Sequence, residues 1–463
     1  MRRARSNRIL AAILVLGTLV WGRSLISAQS ESRPTVSFAR DDVGTSSAID
    51  TYCAGCHNGG LRSPSGTLLV RFNHTQSNPE MWARAYRQLQ AGAMPPVGAP
   101  RPDRATVDAM LDSIAQALDA HAKPAATPST RVGSLGAGQE IATRLASMLW
   151  NGAPDAVLLH EAQRLSDPAT LGRQVQRLLA DDRARAFVAR FFFPWLQLDT
   201  LADADPDTKS FPDYDVSLRD ALARETELFL LSQLRDDREP IELWTADHTF
   251  LNEQLARHYG VANVTGAQFR RVASAPERAG LLGHGSILMV TSRHQHGVDA
   301  AYTTPATRAK WIRFHFLGAP PPNGFPGAQP VKPELPITPQ TRTLPAEPCG
   351  NCHRNFFPLG YALENFDPIG RWRTNDQVGP VDASGAFVDG TPMNGAIDLR
   401  RVLLTQADAF RTNITEKLLV YAATGSVSPT SGTPDTLVRA RQILVGTPQP
   451  RWSTLIAAVV RSD

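Results

Sequence analysis

The chain has 463 residues, length for about three domains, and its 42% hydrophobic and 20% charged content is that of a folded globular protein rather than a disordered one. Its formal charge is +4, but residues 1–28 hold five arginines and no acid, so the remainder is near −1 and carries no nucleic-acid footprint. The four cysteines all fall in two Cys-x-x-Cys-His motifs, which leaves none for a conventional structural disulfide.

In chain order, Arg2, Arg3, Arg5 and Arg8 precede an apolar run from Ile9 to Val20 and the small residues of SLISAQS. This predicts a secretory signal peptide over 1–28, cleaved after Ala28, and a mature chain in the periplasm or at the cell surface. The alternative is an uncleaved anchor. The run is short for a membrane span, and no later stretch approaches ~20 unbroken apolar residues, so no integral span is expected in the mature chain.

Residues 44–122 read as a compact unit with a helix in NPEMWARAYRQLQAG, a proline-rich loop AMPPVGAPRPD and a closing helix from Arg104 to His121. After a linker, the pattern from Gln139 to about Arg271 is helical. Ile141, Leu145, Met148 and Leu149 recur at helical spacing, Asp167-Pro168 is a start signal, and Leu218, Leu222, Phe229 and Leu230 share one side of a further helix. A short helix in DHTFLNEQLARHYG closes at Gly260. These segments predict a mainly α fold: an N-terminal helical domain (44–122), a helical domain (136–205), a central helical bundle region (210–320), a proline-rich linker (321–347) and a C-terminal helical domain (348–463).

The chemistry is carried by CAGCH at Cys53 and CGNCH at Cys349. Two cysteines at this spacing can form thioethers to the two vinyl groups of one haem, and the adjacent histidine then faces the iron. This assigns Cys53, Cys56 and His57 to one covalent haem c, and Cys349, Cys352 and His353 to a second. A dithiol redox pair wants a strand–turn–helix context that neither flank supplies, and a four-cysteine zinc site would leave both histidines unexplained. For the distal position of the first haem the candidate is Met94, 37 residues after His57 in a proline-stiffened loop, with Met81 and His74 as competitors. For the second it is Met393, 40 residues after His353, with His294, His296 or an open position as alternatives. No catalytic residue is assigned. GHGSI around Ser286 lacks the full nucleophile elbow, and the acids of ALENFDPIGRW are either acid/base groups or caps and braces, for example Asp367 with Arg371 or Arg373.

The run CGNCHRNFFPLGYALENFDPIGRWR, through Pro358, Gly360, Ala362 to Asp367 and Gly370 to Arg373, resembles the haem domain of planctomycete-type multi-domain cytochrome c proteins. RLASMLWNGAPDAVLLHEA, FFFPWLQLDTL, the stretch from RETELFLLSQL to LARHYGV, GLLGHGSILMVTS and TEKLLVYAATG resemble other domains of that family. The first unit is similar to its N-terminal cytochrome c module, in which the Met-Pro-Pro methionine is the expected ligand. The resemblance implies two haems and Met94 ligation. It departs at the histidine-rich TSRHQHG and at Met393.

Three functions follow as expectations. The first is an exported diheme cytochrome exchanging electrons with a redox partner protein or a small-molecule donor or acceptor. The second is a diheme oxidoreductase, peroxidase- or oxidase-like, with an open second haem. The third is a non-enzymatic surface or scaffold protein with structural haem.

Overall fold

The computed structural model describes residues 42–57, 78–122, 136–204, 206–207, 209–292, 303, 305–321, 354–376, 379–427 and 432–462. The predicted leader and most of the proline-rich linker lie outside them. Among the described residues 61% are helical and 5% are in strands, as the sequence pattern requires. No described helix is long and apolar enough to cross a membrane.

Helices begin where short polar side chains accept the first free amides. Asn78 caps Met81 N of Pro79–Gln90, Asp103 caps Thr106 N of Arg104–His121, and Asp167 caps Thr170 N of Pro168–Ala180. Asp215 does the same for Leu218 N of Val216–Arg235, the longest helix of the central region. Chain reversals follow at left-handed residues, Asn151 (φ 53°), Gly260 (φ 73°) and Gly425 (φ 71°).

The helices Asp42–Tyr52, Pro79–Gln90 and Arg104–His121 enclose a small core of Ile49, Trp82, Tyr86, Met110, Ile114 and Leu118. Leu437 and Val438 of the distant helix Pro434–Val445 complete it. Arg87 joins the same regions: its Nε donates to Glu416 Oε2 at 3.0 Å, and its Nη2 to Gly432 O at 2.7 Å.

A larger core runs from Ala91 to Val460. At its centre Phe187, Phe191, Phe192 and Trp195 pack at tilted or edge-on angles against Tyr421, Phe410 and Trp452. Two π-helical turns, Val188–Phe192 and Ile312–Phe316, introduce the aromatic clusters. They are cross-tied: Trp195 Nε1 donates to His315 O and Trp311 Nε1 to Leu196 O, each at 3.2 Å. Such turns leave carbonyls outside the ordinary helical ladder, and here indoles and Asn413 Nδ2 (2.7 Å to His315 O) satisfy them.

The central helical reading omitted an antiparallel hairpin, β1 (His248–Leu251) with β2 (Arg270–Ala273), in register Thr249 to Val272. Four-residue strands joined by 18 residues containing a helix offer too little alternation to be seen in sequence. A second hairpin, β3 (Ser384–Ala386) with β4 (Pro392–Asn394), accounts for the turn-rich DASGAFVDGTPMNGA.

The PLGYALENFDPIGRWR segment docks onto the central region by backbone approach and buried charge. A Cβ at Gly360 would lie 1.9 Å from Pro305 O, and one at Gly370 (φ 81°) would lie 2.6 Å from Gly285 Cα. Fully buried Arg308 donates to Glu364 Oε1 at 3.2 Å, and Arg373 reaches Glu364 Oε2 at 3.1 Å. Asp367 braces Arg371 through the backbone, accepting Arg371 N at 2.7 Å. The guanidiniums expected to pair with it go elsewhere: Arg371 to Asp213 at 2.9 Å, and Arg373 to Glu364.

Candidate functional site

The helix Asp42–Tyr52 ends directly at the first motif. Cys53 N and Ala54 N both donate to Ile49 O, closing the helix. Cys56 N (3.1 Å) and His57 N (2.9 Å) then converge on Cys53 O, so the five residues form one tight turn. Both thiols are free, Cys53 half-buried and Cys56 exposed. Burial, and secondarily the neighbouring Cys56, raises the Cys53 thiol to about 11. That environment holds Cys53 as a thiol, unlike the electropositive setting of a reactive dithiol.

Met94 arrives from the loop after Pro79–Gln90. Ala91 N, Gly92 N and Ala93 N fold back onto Arg87 O, Leu89 O and Gln88 O, and Gly92 (φ 61°) turns the chain. The Met94-Pro95 peptide is cis. Arg101 donates to Gly92 O at 3.1 Å and to Pro95 O, clamping the loop from its far side. Cys53, Tyr52, Met81 and Met94 all pack, partly buried, against the same small core. The structure thus brings the first cysteine of the motif and the candidate methionine to one hydrophobic cluster, with Met81 beside them. His74 lies outside the described residues.

The donor set suits a c-type haem: two unpaired cysteines and a histidine in one turn, and a thioether on a braced loop. Among the described residues no group of three or more His, Cys, Asp or Glu side chains could hold a bare metal ion.

Cys349, Cys352, His353, His294 and His296 lie outside the described residues. Met393 is described: it sits in β4, opposite Gly385, 2% exposed and packed into the larger core. Two residues after His353, Asn355 accepts a 2.7 Å hydrogen bond from Val97 N of the Met94 loop. Sequence reading missed this contact, because nothing local in either segment announces a partner 258 residues away.

Two family models match the chain. PSD4, described as a protein of unknown function (DUF1592), matches residues 137–261. PSCyt3, also described as a protein of unknown function (DUF1588), matches residues 278–376. These are planctomycete cytochrome c-type multi-domain families, and over those residues the chain is similar to them. No curated protein and no solved structure matches it.

The first match holds the helices Ala137–Trp150 and Val216–Arg235 together with β1. The second holds Arg308, Glu364 and the Gly370 docking point, and by position it spans the second Cys-x-x-Cys-His motif.

Proposed function

We propose that this chain is an exported diheme c-type cytochrome that passes single electrons between a redox partner protein or small molecule and its two covalent haems. Haem bound at Cys53, Cys56 and His57 supplies a one-electron iron couple. Cys53 and Cys56 would anchor it through their sulfurs, and His57 and Met94 would supply donors to its iron. The Arg101 clamp on Gly92 O and Pro95 O limits how far the Met94 loop drifts. The observation that carries this reading is the packing of Cys53 and Met94 against one small core.

Cys349, Cys352 and His353 are the proposed anchor of the second haem, and Met393 would be its further donor. The burial of Met393 in the larger core favours a second reading, in which that position stays open and supports peroxidase- or oxidase-like chemistry. The planctomycete cytochrome-type matches and the leader motif support export.

The test is the mass and the redox and spin-state titration of the exported full chain. Two covalent haems are expected, the first low-spin with a methionine-to-iron charge-transfer band that Met94→Ala abolishes. Met393→Leu, which preserves volume, separates the two readings: it turns the second haem high-spin only if Met393 is the donor. A chain exported without haem on Cys53 and Cys56 would overturn the proposal.

A further inference from the structure

A cavity of about 300 Å³ opens between the Val216–Arg235 helix, the β1–β2 hairpin and the GRWR segment. That volume is at the lower end for small-ligand sites, room for one substituted ring. At its mouth stand two exposed apolar side chains, Trp372 (42% exposed) and Val261 (36%). Leu251 forms an apolar wall. At its base lies Glu225, 1% exposed, on a helix that also buries Leu222, Thr226 and Phe229.

The polar groups are arranged around that carboxyl. Thr249 Oγ1 donates to Glu225 Oε1 and the Tyr259 hydroxyl to Glu225 Oε2, each at 2.6 Å. Tyr259 in turn accepts Gly285 N at 2.8 Å, so the phenol is fixed in direction. Ser274, at the end of β2, also lines the cavity, and its buried Oγ has no protein partner. A buried hydroxyl without a partner at the wall of a cavity is a hydrogen-bonding position waiting for a ligand.

The charges decide what class of ligand suits the cavity. Arg278 is present but engaged: its terminal nitrogens donate to Gly283 O at 3.0 Å and to Gly370 O. Its guanidinium lies 4.0 Å over the Tyr259 ring and 4.8 Å over Phe366. With Arg278 spent on carbonyls and rings, and the carboxyls of Glu225 and Glu277 in the lining, an anion finds no free donor of matching charge. A cation would need Glu225 fully ionised, whereas burial raises it to about 7 against the opposing pull of Thr249, Tyr259 and Arg278. A neutral hydroxyl suits either state: it accepts from the acid or donates to the carboxylate. The apolar wall and the exposed indole favour a flat ring over a polyol.

We infer that this cavity is a binding site for a small uncharged phenol, its ring against Trp372 and Leu251 and its hydroxyl shared by Glu225 and Ser274.

The experiment is calorimetric titration of phenol into the full haem-loaded chain, with benzoate and benzylammonium as probes of opposite charge. One phenol per chain is expected, with no binding of benzoate. Ser274→Leu, which fills the wall, abolishes phenol binding, and Trp372→Ala weakens it about tenfold, the worth of one aromatic contact. Each variant is first checked for a cooperative melt. Should Ser274→Leu not fold, Trp372→Ala at its half-exposed position decides the matter alone. Phenol binding unchanged in the folded variants, absent at millimolar concentration, or weaker than that of benzylammonium would overturn the inference.

Discussion

Arg87 and Glu416, 329 residues apart in sequence, form a two-point ion pair with Nε–Oε2 and Nη2–Oε1 distances of 3.0 and 2.5 Å, and both are almost fully buried. The pair ties the helix that precedes the Met94 loop to the helix Ala407–Thr424. Arg87→Ala strands Glu416 in the interior and is expected to cost about 3–5 kcal/mol in urea unfolding. The double variant Arg87→Met with Glu416→Leu leaves no unpaired charge and is expected to cost less than either single change. Equal or greater loss in the double variant would show that the charge itself stabilises the docking.

Glycine 360 is a steric prediction. Its Cα faces Pro305 O with no room for a methyl, and the obstructing atoms are backbone, which cannot rotate away. Gly360→Ala is expected to destabilise by on the order of 3 kcal/mol. Gly172→Ala, in the helix Pro168–Ala180 with nothing within 4 Å, is the control and is expected to stabilise by up to ~1 kcal/mol.

Stability against pH has two opposing parts. Glu225 is held at about 7, above its ordinary 4.5, by burial, while Thr249, Tyr259 and Arg278 pull it back. Between those values the unfolded chain has released a proton that the folded chain keeps, so this contribution falls as pH rises. His258 (about 4), His284 (about 3) and His315 (about 3) are held below 6.5, first by burial, so their contribution is lost as pH falls below 6.5. Glu225→Gln removes only the first part. Between pH 7 and pH 5 the variant is expected to lose about 2–3 kcal/mol more than the parent chain. Parallel profiles would show that Glu225 titrates normally.

His258 gives a local acid response. Its Nε2 donates to Ile369 O at 2.8 Å, which leaves Nδ1 to accept from Arg371 Nε at 3.3 Å. Protonation of Nδ1 removes that acceptor. Amide exchange at residues 369–372 is therefore expected to quicken in acid before global unfolding, and His258→Gln is expected to blunt the effect.

The Val97–Asn355 bond gives the last prediction. Asn355→Ala leaves the Val97 amide without its acceptor, at a cost of about 1 kcal/mol. Exchange at Val97 is expected to rise while the preceding Pro79–Gln90 helix keeps its protection.

Much of the helical content was legible because its causes are local. Arg104–His121 runs between the residues expected, with Asp103 as its cap, and Leu218, Leu222, Phe229 and Leu230 are all buried as their spacing required. The turn of the first Cys-x-x-Cys-His motif is equally local, closed on Cys53 O within four residues. The β1–β2 pairing was not legible, since even its nearest partners, Leu251 and Arg270, lie farther apart along the chain than any periodicity reaches.

The sequence by itself determined which segments become helices, where they start and stop, and which residues have the chemistry to hold haem, because caps, periodicity and motif spacing act within a few residues. Tertiary structure alone decided that Leu437 and Val438 finish the core beneath the first motif, and that Gly370 meets Gly285. It also decided that Glu225, Tyr259 and Ser274 line one cavity. Those choices depend on close packing between elements far apart in the chain, where a side chain's partner is set by shape and by the need to satisfy buried polar groups.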